Sequence, residues 1–418
     1  MATWPKANPW RGLGGLPREV WVLFTATLVN RAGSMVLVFL VLYLTRARGL
    51  SPGAAGAVVA LYGAGALVAA PIAGRLGDHF GPIRIMRASL LLSGVVLLLF
   101  PLAKSLPAVI AGVLALSVTA EAFRPANMAI IGDLVEPAQR KTAFSVNRLS
   151  INLGMSVGPA LGGLLATISF HWLFLVDGAT SLAAGIILLA SRFPPHRHTR
   201  EIDQASAFPR PDRAALHDRR LVYFLLAAVF PIALVFFQHI SSISIFLVRD
   251  LGLSAAAYGL LFTVNTLLIV LIEVPLNTAT ALWPHRRTLL LGAVLTGLGF
   301  GSLALAWNFW SAAATVVVWT FGEMFFFPGM AAYVTDLAPA RRRGEYMGFS
   351  QMVMGLAFLV GPWAGTAVLQ HLGGRIVWVG ALGLSLVAAG LIARMQEPAH
   401  EEPRAAVPRP TTVGSSEP

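Results

Sequence analysis

Arg31, Glu121, Arg124, Asp177, His239, Glu273 and Glu323 are ionisable residues set inside long apolar stretches. A charge near the centre of a membrane-length helix costs about 2.5–3.5 kcal/mol, so each must meet a partner or a polar cavity. Desolvation and an approaching Arg pull the proton affinity of a carboxyl in opposite directions, a competition that suits a proton carrier. Glu121, Glu323, Glu273 and Asp177 are therefore the candidate proton-coupling acids. Arg31 is either half of a fixed ion pair or a cavity cation that meets a carboxylate. Glu121 and Arg124, three residues apart, share a helical face and could cancel locally. Glu273 reads equally as half of a gate pair or as a coupling acid, and Asp177, about six residues from the end of its run, as interfacial. Arg148 is placed to snorkel to the interface. Gln238 and His239, among Phe236, Phe237 and Ser241 to Ser244, read as cavity lining. The expected substrate cavity thus holds Arg31, Asn30, Arg124, Gln238, His239 and Phe327.

Membrane helices must position these residues. The 418-residue chain is 56% hydrophobic and 12% charged, with mean hydropathy +0.72, which is membrane composition. A run of about 20 apolar residues spans the hydrocarbon. Twelve such runs lie near 19–45, 55–73, 83–103, 107–132, 143–167, 171–192, 221–248, 255–281, 287–306, 309–334, 345–370 and 374–395. They predict an all-α membrane fold with six-helix bundles over 19–192 and 221–395. Residues 1–18 read as a cytoplasmic segment at the headgroup level, 193–220 as a cytoplasmic linker and 396–418 as a disordered tail. Trp307, Trp310 and Trp319 fit an interface belt.

The net charge of +12 would suggest nucleic acid in a soluble protein, but here its distribution orients the chain. With both termini cytoplasmic, 23 of the 31 Lys and Arg residues lie in inside segments, against Arg46, Arg48, Lys104, Arg249 and Arg375 outside. The inverted topology fails this rule. The first run is too long for a signal-peptide core. With no Cys, disulfides and thiolate metal sites are excluded. His196 and His198 make no persuasive metal site. No nucleophile–base set or phosphate loop stands out, so neither an enzyme nor a cofactor is expected.

The chain also repeats itself. Pro125, Asp133, Arg140, Gly158 and Pro159 recur as Pro328, Asp336, Arg343, Gly361 and Pro362 at a constant offset of 203, and Glu121 recurs as Glu323, slipped by one. The second copy has Phe327 where the offset puts Arg124, so Glu323 lacks that local partner. Such repeats build many secondary transporters, with the solute site between the halves.

Gly74 to Arg87, GRLGDHFGPIRIMR, resembles the loop signature of the major facilitator superfamily, G-x-L-x-D-R-x-G-R-[KR]-x, at Gly74, Leu76, Asp78, Gly81 and Arg84. It departs at His79, Pro82 and Ile83, and the second copy has Leu282 near the Asp position. The resemblance implies a gating role: Asp78 against helix 11 and the basic end of the loop reaching Asp133. Gly154, Gly158, Pro159, Gly162 and Gly163 resemble the G-x-x-x-G-P-x-x-G-G signature of the drug:proton antiporter branch, where Pro159 kinks the helix and the glycines allow close packing. Helix 10 and its exit, GEMFFFPGMAAYVTDLAPAR, resemble multidrug efflux members and proton-coupled oligopeptide transporters alike. The latter likeness implies Glu323 as an amine contact and Arg31 as a carboxylate contact, but Thr27 and Asn30 stand where that family has acids.

The expected function is proton-coupled export of amphiphilic small molecules by rocking two halves about a central site. Proton-coupled import of peptides or other zwitterions is the alternative, and a non-transporting sensor or assembly partner a third reading. A small-molecule substrate, protons and the bilayer are the expected partners, for a monomer in the inner membrane.

Overall fold

The computed structural model describes residues 15–136, 139–194, 217–339 and 342–395. Most of the expected N-terminal segment, linker (with His196 and His198) and tail lie outside them. Among the described residues the regular structure is helical, and twelve helices are long and apolar enough to cross a membrane. They are α1 Arg18–Ala47, α2 Pro52–Phe80, α3 Pro82–Leu102, α4 Leu106–Leu134, α5 Thr142–Ile168, α6 His171–Ala190, α7 Arg219–Ile240, α8 Ala255–Ala279, α9 His285–Leu305, α10 Phe309–Leu337, α11 Gly344–Leu372 and α12 Gly374–Ala393. An apolar run becomes a helix there because hydrocarbon leaves backbone N–H and C=O groups no other partners.

The 203-residue repeat governs local structure. α1 and the continuation of α7 widen into π-helical turns at Tyr43–Ala47 and Phe246–Asp250. Gly49 and Gly252 then turn the chain with φ of 67° and 66°, a region that only glycine enters at little cost. Ser51 and Ser254 cap the next helices by accepting from Ala54 N and Ala257 N. Ser105 and Asn308 do the same for α4 and α10. All these pairs share the one offset.

The halves meet unevenly. One apolar core, including Phe39, Tyr43, Phe174, Tyr258, Phe300 and Trp378, is shared by both halves at the face carrying Gly49 and Gly252, called the far face below. At the opposite face, where α1 begins and α12 ends, each half has its own core, around Leu23, Met86 and Phe123 in one and Phe224, Phe326 and Tyr333 in the other. The apolar core is shared at the far face and divided at the terminal face.

Candidate functional site

Two helices break at matching depth. α1 is helical over Arg18–Gly33, leaves helical geometry at Ser34 and Met35, and resumes at Val36. The freed N–H groups of Met35 and Val36 both donate to Asp177 Oδ2 of α6 at 3.1 Å. A carboxylate at the start of a helical segment satisfies its orphan donors. Asp177 is therefore buried, 7% exposed, and not interfacial as expected. α7 tightens over Phe237–Ile240 and breaks at Ser241. Gln238, the residue 203 after Met35, closes that break: its Nε2 donates to Leu234 O and Gly361 O, each at 2.9 Å, and its Oε1 accepts from Ser242 Oγ at 2.7 Å. Tyr258 of α8 ties the two broken helices together, with its hydroxyl directed at Val38 O (3.2 Å) and His239 O (2.9 Å).

A cavity of about 360 Å³ lies against these breaks. Its first-half wall carries Asn30, Arg31, Tyr62, Glu121 and Asp177, and its second-half wall is aromatic, with Phe236, Phe237, His239, Phe262 and Phe358. Asn30 donates to Ser181 Oγ at 3.1 Å. Glu121 accepts from Tyr62 Oη at 2.9 Å. The Arg31 guanidinium sits 5.6 Å over the Phe123 ring, and its buried Nε has no hydrogen-bond partner among the described residues. The glycines of α5 hold α1 in place. A Cβ on Gly154 would strike the Arg31 side chain, one on Gly158 would come 2.9 Å from Arg31 O, and one on Gly162 2.7 Å from Met35 Cβ. Between them α5 continues unbroken through Pro159.

Several expected residues stand outside this cavity. Glu323 does not line it; its Oε2 accepts from Asn265 Nδ2 at 3.0 Å, and that amide also donates to Thr320 Oγ1 at 2.9 Å. Phe327 lies one ring behind the wall, 4.8 Å from Phe236. Gln238 is spent on the α7 break, and Arg124 points to an exposed position on α4 instead of lining the cavity. Of the expected set, Arg31, Asn30, His239, Glu121 and Asp177 are brought together. Trp319 is 4% exposed, packed on Phe300 at 5.2 Å, and so is no part of an interface belt, unlike Trp307 and Trp310 at 74% and 77%.

The far face is held shut across the halves. Arg46 donates to Val248 O at 3.1 Å, and Gly53 N to Gln370 Oε1 at 2.8 Å. Gly56 of α2 packs on the carbonyl of Pro362, and Gly259 of α8 on the carbonyl of Pro159; both pairs obey the 203 offset. Toward the terminal face, Arg148 of α5 pairs with Glu273 of α8, so Arg148 reaches across the halves and does not snorkel. That favours the gate-pair reading of Glu273. In the α2–α3 loop, Gly81 turns the chain with φ 88°, and Gly74 has open space around it. Asp78 and Arg84 are exposed, and α2, which carries Asp78, packs against α11. Asp133 closes α4, and its counterpart Asp336 is held by His285 Nε2 at 2.9 Å.

Tyr62 and Tyr258 were not singled out from the sequence, and Arg148 was read as snorkelling. The repeat held a signal for Tyr62, because it stands 203 residues before Asn265. Arg148–Glu273 and Tyr258 join residues with no such relation.

The sequence profile of the Major Facilitator Superfamily matches residues 23–249 and again 228–415. The chain is 26% identical over 381 residues to the uncharacterized MFS-type transporter YqjV of Bacillus subtilis (strain 168), covering 89% of this chain and 91% of that one. It is 27% identical over 354 residues to the class G tetracycline resistance protein of Vibrio anguillarum, covering 81% and 87%. The crystal structure of the peptide transporter POT in complex with sulfate superposes with a TM-score of 0.74 at 18% identity, over 93% of this chain and 98% of that one. Broken helices at a central cavity, a fold repeated at 203 residues and a profile matched twice along the chain agree: this is a multi-pass membrane transporter of the Major Facilitator Superfamily.

Proposed function

We propose that the chain exports amphiphilic small molecules by proton-coupled antiport, with alternating access to the cavity between its halves and both termini in the cytoplasm. The observation that carries this reading is the cavity itself. An aromatic wall that suits varied organic solutes faces Glu121 and Arg31, so a proton-binding group and a solute compete within one small volume. Tetracycline and multidrug resistance proteins among the relatives support export. An apolar core shared at the far face, with separate cores at the terminal face bridged by Arg148 and Glu273, fits a stage of the cycle that faces the cytoplasm. One charge moved across about 100 mV supplies about 2.3 kcal/mol, enough for roughly a 50-fold gradient of a neutral solute.

Purified protein in proteoliposomes tests this. Amphiphilic cations, anions and zwitterions should move in response to an imposed pH gradient, and a protonophore should stop them. Flux indifferent to the gradient for every solute would sink the proposal.

A second reading, proton-coupled import of zwitterions, is favoured by one feature: Arg31, whose Nε lacks a partner among the described residues, and Glu121 offer opposite charges in one cavity. Glu323, the amine contact implied by the sequence, is not on the cavity wall, so the clamp would run from Arg31 to Glu121. Dipeptide uptake by whole cells separates the two directions.

A further inference from the structure

The wall that the second half gives the cavity holds one polar side chain among the described residues, His239, set with Phe236, Phe237, Phe262 and Phe358. Both its backbone and its ring are held in place. It lies in the tightened turn Phe237–Ile240 just before the break at Ser241, and its carbonyl accepts from the Tyr258 hydroxyl at 2.9 Å. The imidazole Nδ1 lies 2.6 Å from Phe236 O, and the ring centroid is 4.5 Å from that of Phe236 and 5.6 Å from that of Phe262.

A backbone carbonyl only accepts, so Nδ1 carries the hydrogen, and in the neutral ring Nε2 keeps its lone pair. Nε2 has no donor among the described residues and, unlike Arg31 Nε, it is not enclosed by protein. The small recess on the far side of the ring has apolar walls only, so Nε2 opens onto the main cavity. The first half has no equivalent: Val36 stands 203 residues before His239, and what it offers there is a backbone N–H already given to Asp177. The aromatic wall therefore presents a single acceptor, aimed in advance, to whatever fills the cavity.

We infer that His239 Nε2 is a specificity determinant: a solute's aromatic ring lies on the Phe236 and Phe262 wall and donates a ring-borne hydroxyl to that nitrogen. The solute class is an aromatic amphiphile with a phenol-type O–H on the edge away from its charged group, which stays beside Arg31 and Glu121. The donor is neutral for a physical reason. An ammonium group would lose its hydration among these rings while Glu121 offers it a carboxylate in the same cavity, whereas a hydroxyl loses less and recovers it through one hydrogen bond. The inference rests on the reading of the main cavity as the solute site.

Two zwitterions of matched shape test it, 4-hydroxyphenylalanine and 4-fluorophenylalanine, since fluorine fills nearly the space of the hydroxyl and cannot donate. Binding to the full-length protein is measured at equilibrium without a pH gradient, so the result does not depend on proton coupling. The hydroxyl compound should bind about five- to tenfold more tightly, the range expected for one buried hydrogen bond. His239→Phe keeps a ring and removes the acceptor; it should erase the difference and leave the fluoro compound unchanged. His239→Gln returns an acceptor oxygen at similar reach and should recover part of the preference, which a merely structural role for the imidazole would not produce. Equal affinities in the unaltered protein, or a preference that survives His239→Phe, would overturn the assignment; a water that stays on Nε2 gives the first of these. Saturable binding of neither compound would overturn it as well. Proton-driven flux of other solutes could persist in each case, which keeps the two proposals separable.

Discussion

Tyr62 and Asn265 stand 203 residues apart, and each donates one hydrogen bond to the acid of its own half: Tyr62 to Glu121 at 2.9 Å, Asn265 to Glu323 at 3.0 Å. The donors obey the repeat although the acids are slipped by one. Ser117 and Thr320, also 203 apart, complete each bracket, Ser117 by donating to Tyr62 O and Thr320 by accepting from Asn265. The duplicated unit is thus a donor that positions an acid. In this conformation only the first copy faces the cavity.

Tyr62→Phe removes the donor and keeps the ring, which packs on Phe358 at 6.1 Å. A hydrogen bond to a charged group is worth about 1.5–3 kcal/mol, so gradient-driven flux should fall roughly tenfold or more with the fold intact. Asn265→Leu should do the same through Glu323. Flux and pH profile unchanged in both variants would remove the brackets from the mechanism.

Asp177 has a different task from the other acids, because its carboxylate is engaged by the α1 backbone. Asp177→Ala should lower thermal stability by about 1–2 kcal/mol, the worth of a good cap. Asp177→Asn keeps one acceptor oxygen and should retain solute-linked proton movement. Loss of proton movement in a stably folded Asp177→Asn protein would return Asp177 to the coupling set.

The Arg148–Glu273 pair bridges the halves near the terminal face. Glu273 has a side chain only 9% exposed, so removing Arg148 leaves a carboxylate without its counter-charge. Arg148→Ala should slow transport, and Arg148→Glu combined with Glu273→Arg should recover a substantial part of it. Failure of the exchange to outperform either single variant would argue against a pairing role.

The chain has no Cys, so introduced thiols report cleanly. A Cβ at Gly53 would lie 3.8 Å from the Cα of Ala367, close enough for a disulfide. In Gly53→Cys/Ala367→Cys, oxidation should stop transport and reduction should restore it, because the far face must part. Full transport by the oxidised protein would contradict alternation at that face.

Twelve helices and their repeat were legible because hydrocarbon leaves an apolar run one conformation and because duplication keeps its offset. Arg31, Glu121, Asn30 and His239 were legible as cavity residues for a similar reason: polar groups inside such runs need somewhere polar to go. The break at Ser34–Met35 had only Gly33 and Ser34 as a local mark and that at Ser241 had no proline or glycine, and each depends on a partner from another helix. Gln238 looked like a cavity residue for the same reason. A polar side chain that repairs a backbone break and one that meets a solute have identical neighbours in sequence. Trp319 resembled its belt companions Trp307 and Trp310 until packing placed it inside.

Solute and proton movement recorded together in proteoliposomes, for the unaltered protein beside Glu121→Gln and Glu323→Gln, bears on the coupling of the two most immediately. The unaltered protein should move solute against its gradient at the expense of a pH difference. Both variants should keep solute exchange at equal pH and lose the response to the pH difference. Unchanged pH-driven accumulation in Glu121→Gln would contradict a proton carried by the acid on the cavity wall.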